Sequence, residues 1–206
     1  MSAPAVAACI SNRFIQLFVT LATEEIGAQE LPLVLAEAKL QPAAIEKAAL
    51  VRLDGLQAAE IYAALQRALR DYYGRGARGA LLRIGRKMWD RMVAAANLVE
   101  KAELEIVRRL PVPARRRRVL DLLAERLREG GGSASVHLLD IDLLLVHPSS
   151  AAVPFQTTGK AGCFVTLGMI QRALAWATGQ EADVEEIACK AAGAPACEFK
   201  ITFGGK

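Results

Sequence analysis

Glu186-Ile187-Ala188-Cys189-Lys190-Ala191-Ala192-Gly193-Ala194-Pro195-Ala196-Cys197-Glu198-Phe199 is the stretch from which the fold is read. Two apolar segments, 183–190 and 197–203, flank a run of small residues with Gly193 midway between the cysteines. Short apolar runs around a turn predict two strands of a β-hairpin. Across such a hairpin the thiols of Cys189 and Cys197 fall opposite each other. That pairing suits a soft divalent metal such as zinc, which binds thiolates tetrahedrally. It equally suits a disulfide, and a buried cysteine is also a common small core residue. Glu186 and Cys189 are three positions apart, which on a regular strand sends them to opposite faces. Aiming both at one ion requires a bulge.

Upstream of the hairpin, Cys163 to Thr178 has helical spacing through Phe164, Leu167, Ile170 and Leu174. Before it, 135–139 and 141–146 read as paired strands, and His147-Pro148-Ser149-Ser150 as a turn. The first two thirds read as helix. Ser11 or Asn12 caps a helix ending near Gly27, and a short apolar segment from Leu31 to Leu40 is broken by Pro42. Asp54 and Gln57 form a capping box for a helix ending at Gly74. Leu81, Leu82, Ile84, Met88, Trp89 and Met92 mark the next. A further helical stretch is stopped by Pro111 and Pro113, and Val119 to Leu127 is amphipathic. Helices, two strands, a helix and two strands predict an α+β fold, an antiparallel sheet packed against helices. The reading is one domain over 1–206, mainly helical over 1–129, with the strand pair, helix and final hairpin over 133–206.

Hydrophobic residues make up 53% of the 206 and aromatics only 5%, so the core is expected to be aliphatic. A formal net charge of +4 permits an anionic partner without requiring one. Four cysteines are too few for a disulfide-rich secreted domain. The N-terminus lacks a basic region before its apolar run, so no secretory signal is read there. No apolar stretch reaches the roughly 20 residues that span a bilayer. The expected location is the cytoplasm, where reduced thiols favour metal over disulfide.

Other motifs carry less. Gly74-Arg75-Gly76-Ala77-Arg78-Gly79 spells the dinucleotide fingerprint, but it follows a helix where the fingerprint needs a strand. It reads as a helix–helix connection. Arg115-Arg116-Arg117-Arg118 opens a helix, where positive charge opposes the macrodipole, and has no interleaved aromatics for stacking bases. It reads as a solvated face, and no nucleic-acid partner is expected. His137 and His147 are the two histidines and have no nucleophile at a recognisable spacing. Cys9 is a bystander, and no catalytic residue is assigned.

The residues from Gly162 to Phe203 resemble the C-terminal signature of the 4-vinyl reductase domain family. The resemblance rests on Gly162-Cys163-Phe164, Gly168, Glu186-Ile187-Ala188-Cys189, Gly193 and Cys197-Glu198-Phe199, and more loosely on Gly79, Arg83 and Gly85. Phenol-sensing regulators with this domain hold zinc by three cysteines and a glutamate in the order Cys, Glu, Cys, Cys. The resemblance therefore implies Cys163, Glu186, Cys189 and Cys197 as ligands of a structural zinc. It implies a fold similar to the TRAPP vesicle-tethering subunits, a homodimer, and binding of a small hydrophobic or aromatic molecule by a non-catalytic sensor or carrier with a separate output protein. Phe155, Phe164, Met169 and Trp176 are candidates for the ligand pocket. Two alternatives stay open: a tetrapyrrole-binding protein linked to 4-vinyl reduction in bacteriochlorophyll biosynthesis, and a TRAPP-like scaffolding subunit. Lys160 and Lys190 are offered as charges that soften an anionic metal site.

Overall fold

The computed structural model describes residues 6–152 and 162–203. The chain enters through helix α1 (Asn12–Ile26), whose first turn is closed by the Ser11 hydroxyl accepting the Phe14 amide at 3.2 Å. Helices α2 (Leu31–Glu37) and α3 (Lys47–Leu50) follow, joined by a 3₁₀ turn at Pro42–Ile45. Helix α2 ends well before Pro42, with Lys39 in the left-handed region (φ 56°), and Pro42 opens the next turn, since proline is tolerated where a first-turn amide has no partner. Helix α4 (Gly55–Tyr73) begins at the anticipated capping box: Asp54 Oδ1 accepts the Leu56 and Gln57 amides, and Gln57 Oε1 accepts the Asp54 amide. Helix α5 (Ala77–Ala94) starts within the Gly74–Gly79 motif, so a helix–helix connection stands there.

Helix α6 (Leu98–Arg109) is capped by a second box, Asn97 with Glu100, and α7 (Val112–Arg128) follows directly. The prolines at 111 and 113 terminate α6 and also occupy the N-terminal positions of α7, which therefore begins before the arginine run. The arginines are less free than a solvated face implies. Arg115 donates to the carbonyls of Leu110 and Ala177, satisfying backbone at the ends of two helices. Arg117 pairs with Asp121, and Arg118 with Glu103 and Glu125.

Strands β1 (Ser135–Leu139) and β2 (Asp142–His147) form a hairpin, with Asp140 in the left-handed region (φ 56°) opening its turn. Helix α8 (Phe164–Thr178) then leads to β3 (Asp183–Ala188) and β4 (Cys197–Thr202). The sheet is antiparallel throughout, in the order β1-β2-β4-β3. This is the α+β arrangement the patterning implies. Leu143, Leu145 and His147 of β2 share the buried face with Cys197, Phe199 and Ile201 of β4. Helices and sheet contribute to one buried cluster of mainly aliphatic side chains that also encloses Phe18 and Phe199.

Helix α8 is the centre of this assembly and packs on α5, α7 and β3. Its contact with α5 is made backbone to backbone. Gly85 of α5 lies against the Val165 carbonyl and the Met169 amide, and Gly168 of α8 lies against the Leu82 carbonyl. With two glycines facing the opposite main chain, there is no side-chain layer at the crossing. The N-terminus of α8, which carries Cys163, is thereby held at a fixed depth over the end of the sheet.

Candidate metal centre

Three chain segments converge where α8 begins. Cys163 precedes the first residue of α8, and its amide donates to Glu186 Oε2 at 2.7 Å. Glu186 sits on β3 just before a break in register: it pairs with Phe199, whereas Ala188 pairs with Glu198. Ile187 is the extra residue and points outward, 49% exposed. This is the bulge that the Glu186–Cys189 spacing demands, and it turns both residues to the helix side of the sheet. Cys189 then leads into a 3₁₀ turn at Lys190–Ala192, where its carbonyl accepts the amides of Ala192 and Ala194. Gly193 takes φ 92°, a left-handed value suited to glycine. The chain returns at Cys197, opposite His147 of β2.

The sulfurs form a compact triangle. Cys163 Sγ lies 3.4 Å from Cys197 Sγ and 3.8 Å from Cys189 Sγ, and the latter two are 3.6 Å apart. With a carboxylate oxygen of Glu186, the four donor atoms all lie within 4.8 Å of one another. A tetrahedral ion with metal–sulfur bonds of about 2.3 Å spaces its sulfurs about 3.8 Å apart, so the triangle has the right scale. Cys189 and Cys197 are not bonded, and all four cysteines of the chain are free thiols. Glu186 Oε1 is buried with no hydrogen-bond partner. A buried carboxylate oxygen without a donor is costly, and a cation at the centre of the sulfurs would satisfy it. The cluster could hold a metal ion.

The thiol titration follows from this crowding. Hydrogen bonds from Cys163, then from Cys189, pull Cys197 far down, to about 2. Cys163 is pushed well up by donating to Cys189 and Cys197 and by burial. The bond with Cys163 lowers Cys189, but its bond to Cys197, burial and Glu186 outweigh that and raise it to about 12. The two neighbouring thiols favour charge on Cys197, and they themselves keep their protons until a cation compensates their charge.

Of the residues named from sequence, the structure brings Cys163, Glu186, Cys189 and Cys197 together. Phe164, Met169 and Trp176 lie in separate surroundings. Phe164 has the guanidinium of Arg70 5.7 Å from its ring centre, Met169 is buried against α5, and Trp176 packs edge-on against Trp89 with Arg108 over its ring. Phe155 and Lys160 lie outside the described residues. Lys190 does approach the centre: its amide donates to the Cys197 sulfur, and its ammonium donates to the carbonyls of Val6 and Pro148.

Sequence reasoning did not find the cavity beside the cluster. It holds about 20 Å³ and is lined by Phe14, Tyr62, His147, Ser150 and Thr166, with Cys9–Ser11 across it. Neither ring nitrogen of His147 has a partner, and burial pulls its pKa down to about 4. The Ser150 hydroxyl lies 3.8 Å from Cys163 Sγ, so cavity and cluster share a wall. The sequence carried no signal for it: Leu143 to Val146 is apolar throughout, and His147 reads as the start of a turn, whereas it closes β2 on the buried face.

Residues 146–203 match the model of the 4-vinyl reductase domain family. The matched segment contains all four clustered residues. No curated protein matches the chain. Among solved structures, the chain is similar to an H-NOX protein from S. oneidensis, determined in its Fe(II)NO ligation state. The two share 11% identity with a TM-score of 0.55, over 92% of this chain and 99% of that one. At that identity the likeness is one of fold.

Proposed function

We propose that the chain is a non-catalytic sensor or carrier of a small aromatic or hydrophobic molecule, stabilised by a structural zinc. The 4-vinyl reductase domain segment and the fold shared with the H-NOX protein both fit a ligand-binding role. The observation that carries the reading is the cavity at His147. Its wall combines apolar surface from Ile10, Phe14, Leu127 and Ala151 with hydrogen-bonding groups on His147, Ser150 and Thr166. A mixed lining with one or two polar anchors suits a phenol-sized ligand. The neutral imidazole offers one donor and one acceptor. At about 20 Å³ the cavity has room for a water, so a larger guest requires the Cys9–Ser11 segment to swing aside. That segment is held by the Cys9 amide on the Ser149 carbonyl and the Ile10 amide on the Gly55 carbonyl, each at 3.0 Å. Its displacement would also disturb the bond from Lys190 to Val6, giving a route from ligand to metal hairpin.

Zinc with four protein ligands has a closed shell, so its role here is to fix the hairpin to the start of α8 and not to activate water. From the sequence reading we also carry a cytoplasmic location, and from the family resemblance a homodimer and a separate output protein. Among the described residues no helix is long and apolar enough to cross a membrane.

Two measurements test this reading. In a thermal-shift panel of phenols and related apolar compounds, a ligand at 100 times its Kd should add about 2.7 kcal/mol, a rise of roughly 5–10 °C for a domain of this size. His147→Leu should keep its metal and lose the shift. A flat response across the panel would instead favour the scaffolding reading, which the small volume of the cavity supports. For the metal, zinc loading at pH 7.5 should release about two protons, from Cys163 and Cys189, whose pKa values are raised. Affinity should therefore fall about 100-fold per unit as pH drops from 8 to 6. Titration calorimetry in buffers of different ionisation enthalpy reads the count, and zero protons released would show that thiols are not the ligands.

A further inference from the structure

Three thiolates and a carboxylate carry four negative charges, so a divalent ion leaves a surplus of two in a largely buried site. Uncompensated charge in such surroundings is strongly unfavourable. Lys190 supplies one positive charge from the hairpin itself. The other candidate comes from the opposite half of the chain. Arg70 lies near the C-terminus of α4 and is only 7% exposed. Its Nη2 donates to the carbonyl of Gly162, the residue immediately before Cys163, across 92 positions of sequence. Its guanidinium also lies 5.7 Å from the centre of the Phe164 ring, the residue immediately after. Arg70 thus grips the chain on both sides of the first metal ligand.

We propose that Arg70 is the counter-charge of the metal centre, a positioning residue whose buried guanidinium offsets the surplus negative charge of the filled site and holds the Gly162–Phe164 backbone in place. The inference rests on the metal reading above. Burial depresses the Arg70 pKa, and the groups that push it back up are Cys163, then Tyr62, Cys189 and Glu186, three of them members of the cluster. The cation and the cluster therefore feel each other. Its placement also ties metal binding to helix packing, because α4 contacts α1, α2 and α5 as well. Residues that support metal ligands from outside the coordination shell commonly change affinity 10–100-fold when lost.

The test uses wild type, Arg70→Gln, Arg70→Lys and Arg78→Gln. Arg78 is the control: its guanidinium also lies 5.7 Å from the Phe164 ring centre, but the residue is exposed. Zinc affinity is read by competition with a colorimetric chelator, and melting temperature is read with and without metal. Arg70→Gln should weaken zinc 10–100-fold, Arg70→Lys should stay within about threefold because the charge is kept, and Arg78→Gln should match wild type. The proposal is overturned if Arg70→Gln binds zinc as tightly as wild type while melting lower both with and without metal, which marks a packing role. It is overturned equally if Arg70→Lys loses as much affinity as Arg70→Gln. Should Arg70→Gln fail to fold, Arg70→Met, whose unbranched chain fills similar space, takes its place in the same competition. If wild type itself takes up no zinc, the metal reading fails and this inference goes with it. A zinc-binding wild type with an indifferent Arg70 sinks the inference alone.

Discussion

Gly85→Ala is expected to destabilise the protein by about 3 kcal/mol or more, enough to lower the melting temperature by roughly 6–12 °C. A Cβ at this position would be driven into the Val165 carbonyl oxygen, with the Val165 carbonyl carbon and the Met169 amide nitrogen also too close. These are backbone atoms of α8 and cannot rotate away. Relief requires α5 and α8 to separate, and α8 is also the helix packed on α7 and β3. The helix propensity of alanine works the other way by about 1 kcal/mol, which the clash exceeds. Gly168→Ala should behave alike, since its Cβ would strike the Leu82 carbonyl from the other side. Gly76→Ala, where the nearest atom is 4.0 Å away, is the neutral control. Thermal melts of the three variants decide the matter, and a Gly85→Ala protein as stable as wild type would show that the two helices do not approach as described.

Local features of this fold were legible because their causes are local. The Asp54–Gln57 box, the Ser11 cap and the Cys189–Gly193–Cys197 hairpin each follow from residues within a few positions of one another. The bulge was legible too, as a geometric demand: a ligand pair three apart on a strand has to break register, and it does so at Ile187. Helix ends were less so at prolines. Pro42 and Pro113 read as breakers, and both start the next helical turn. The glycine signals at 85 and 168 could be seen but not matched, since nothing in a single chain says that two glycines 83 positions apart face each other's backbone. Arg70 was invisible for the same reason. Its contacts are with Gly162 and Phe164, and a lone arginine on an amphipathic helix ordinarily belongs to solvent. The His147 cavity depends on α1, α4, α7, β2 and α8 meeting at one point, which no periodicity encodes.

Cys189→Ser should abolish metal uptake and cost upward of about 4 kcal/mol, lowering the melting temperature by about 10 °C or more. Cys189 is 5% exposed and follows the β3 bulge, with its sulfur 3.6 Å and 3.8 Å from the other two. An ion held there would tie the start of α8 to the β3–β4 hairpin, whose strands are already paired with each other; at the cluster, helix and hairpin otherwise meet through the hydrogen bond from the Cys163 amide to Glu186 and weak contacts between sulfurs. Serine is a poor ligand for a soft cation, and the metal-free site would retain a buried carboxylate oxygen without a partner. Structural zinc contributes its binding energy directly to folding, so the variant and chelator-treated wild type should melt at the same temperature. Adding chelator to the variant should do nothing further. Cys9→Ser is the matched control, because that thiol donates to the Gly130 carbonyl, away from the cluster, and should keep the full metal content. Elemental analysis beside the melting curves separates the cases. One equivalent of metal retained in Cys189→Ser, with an unchanged melt, would remove Cys189 from the ligand set and leave the sulfur triangle as core packing.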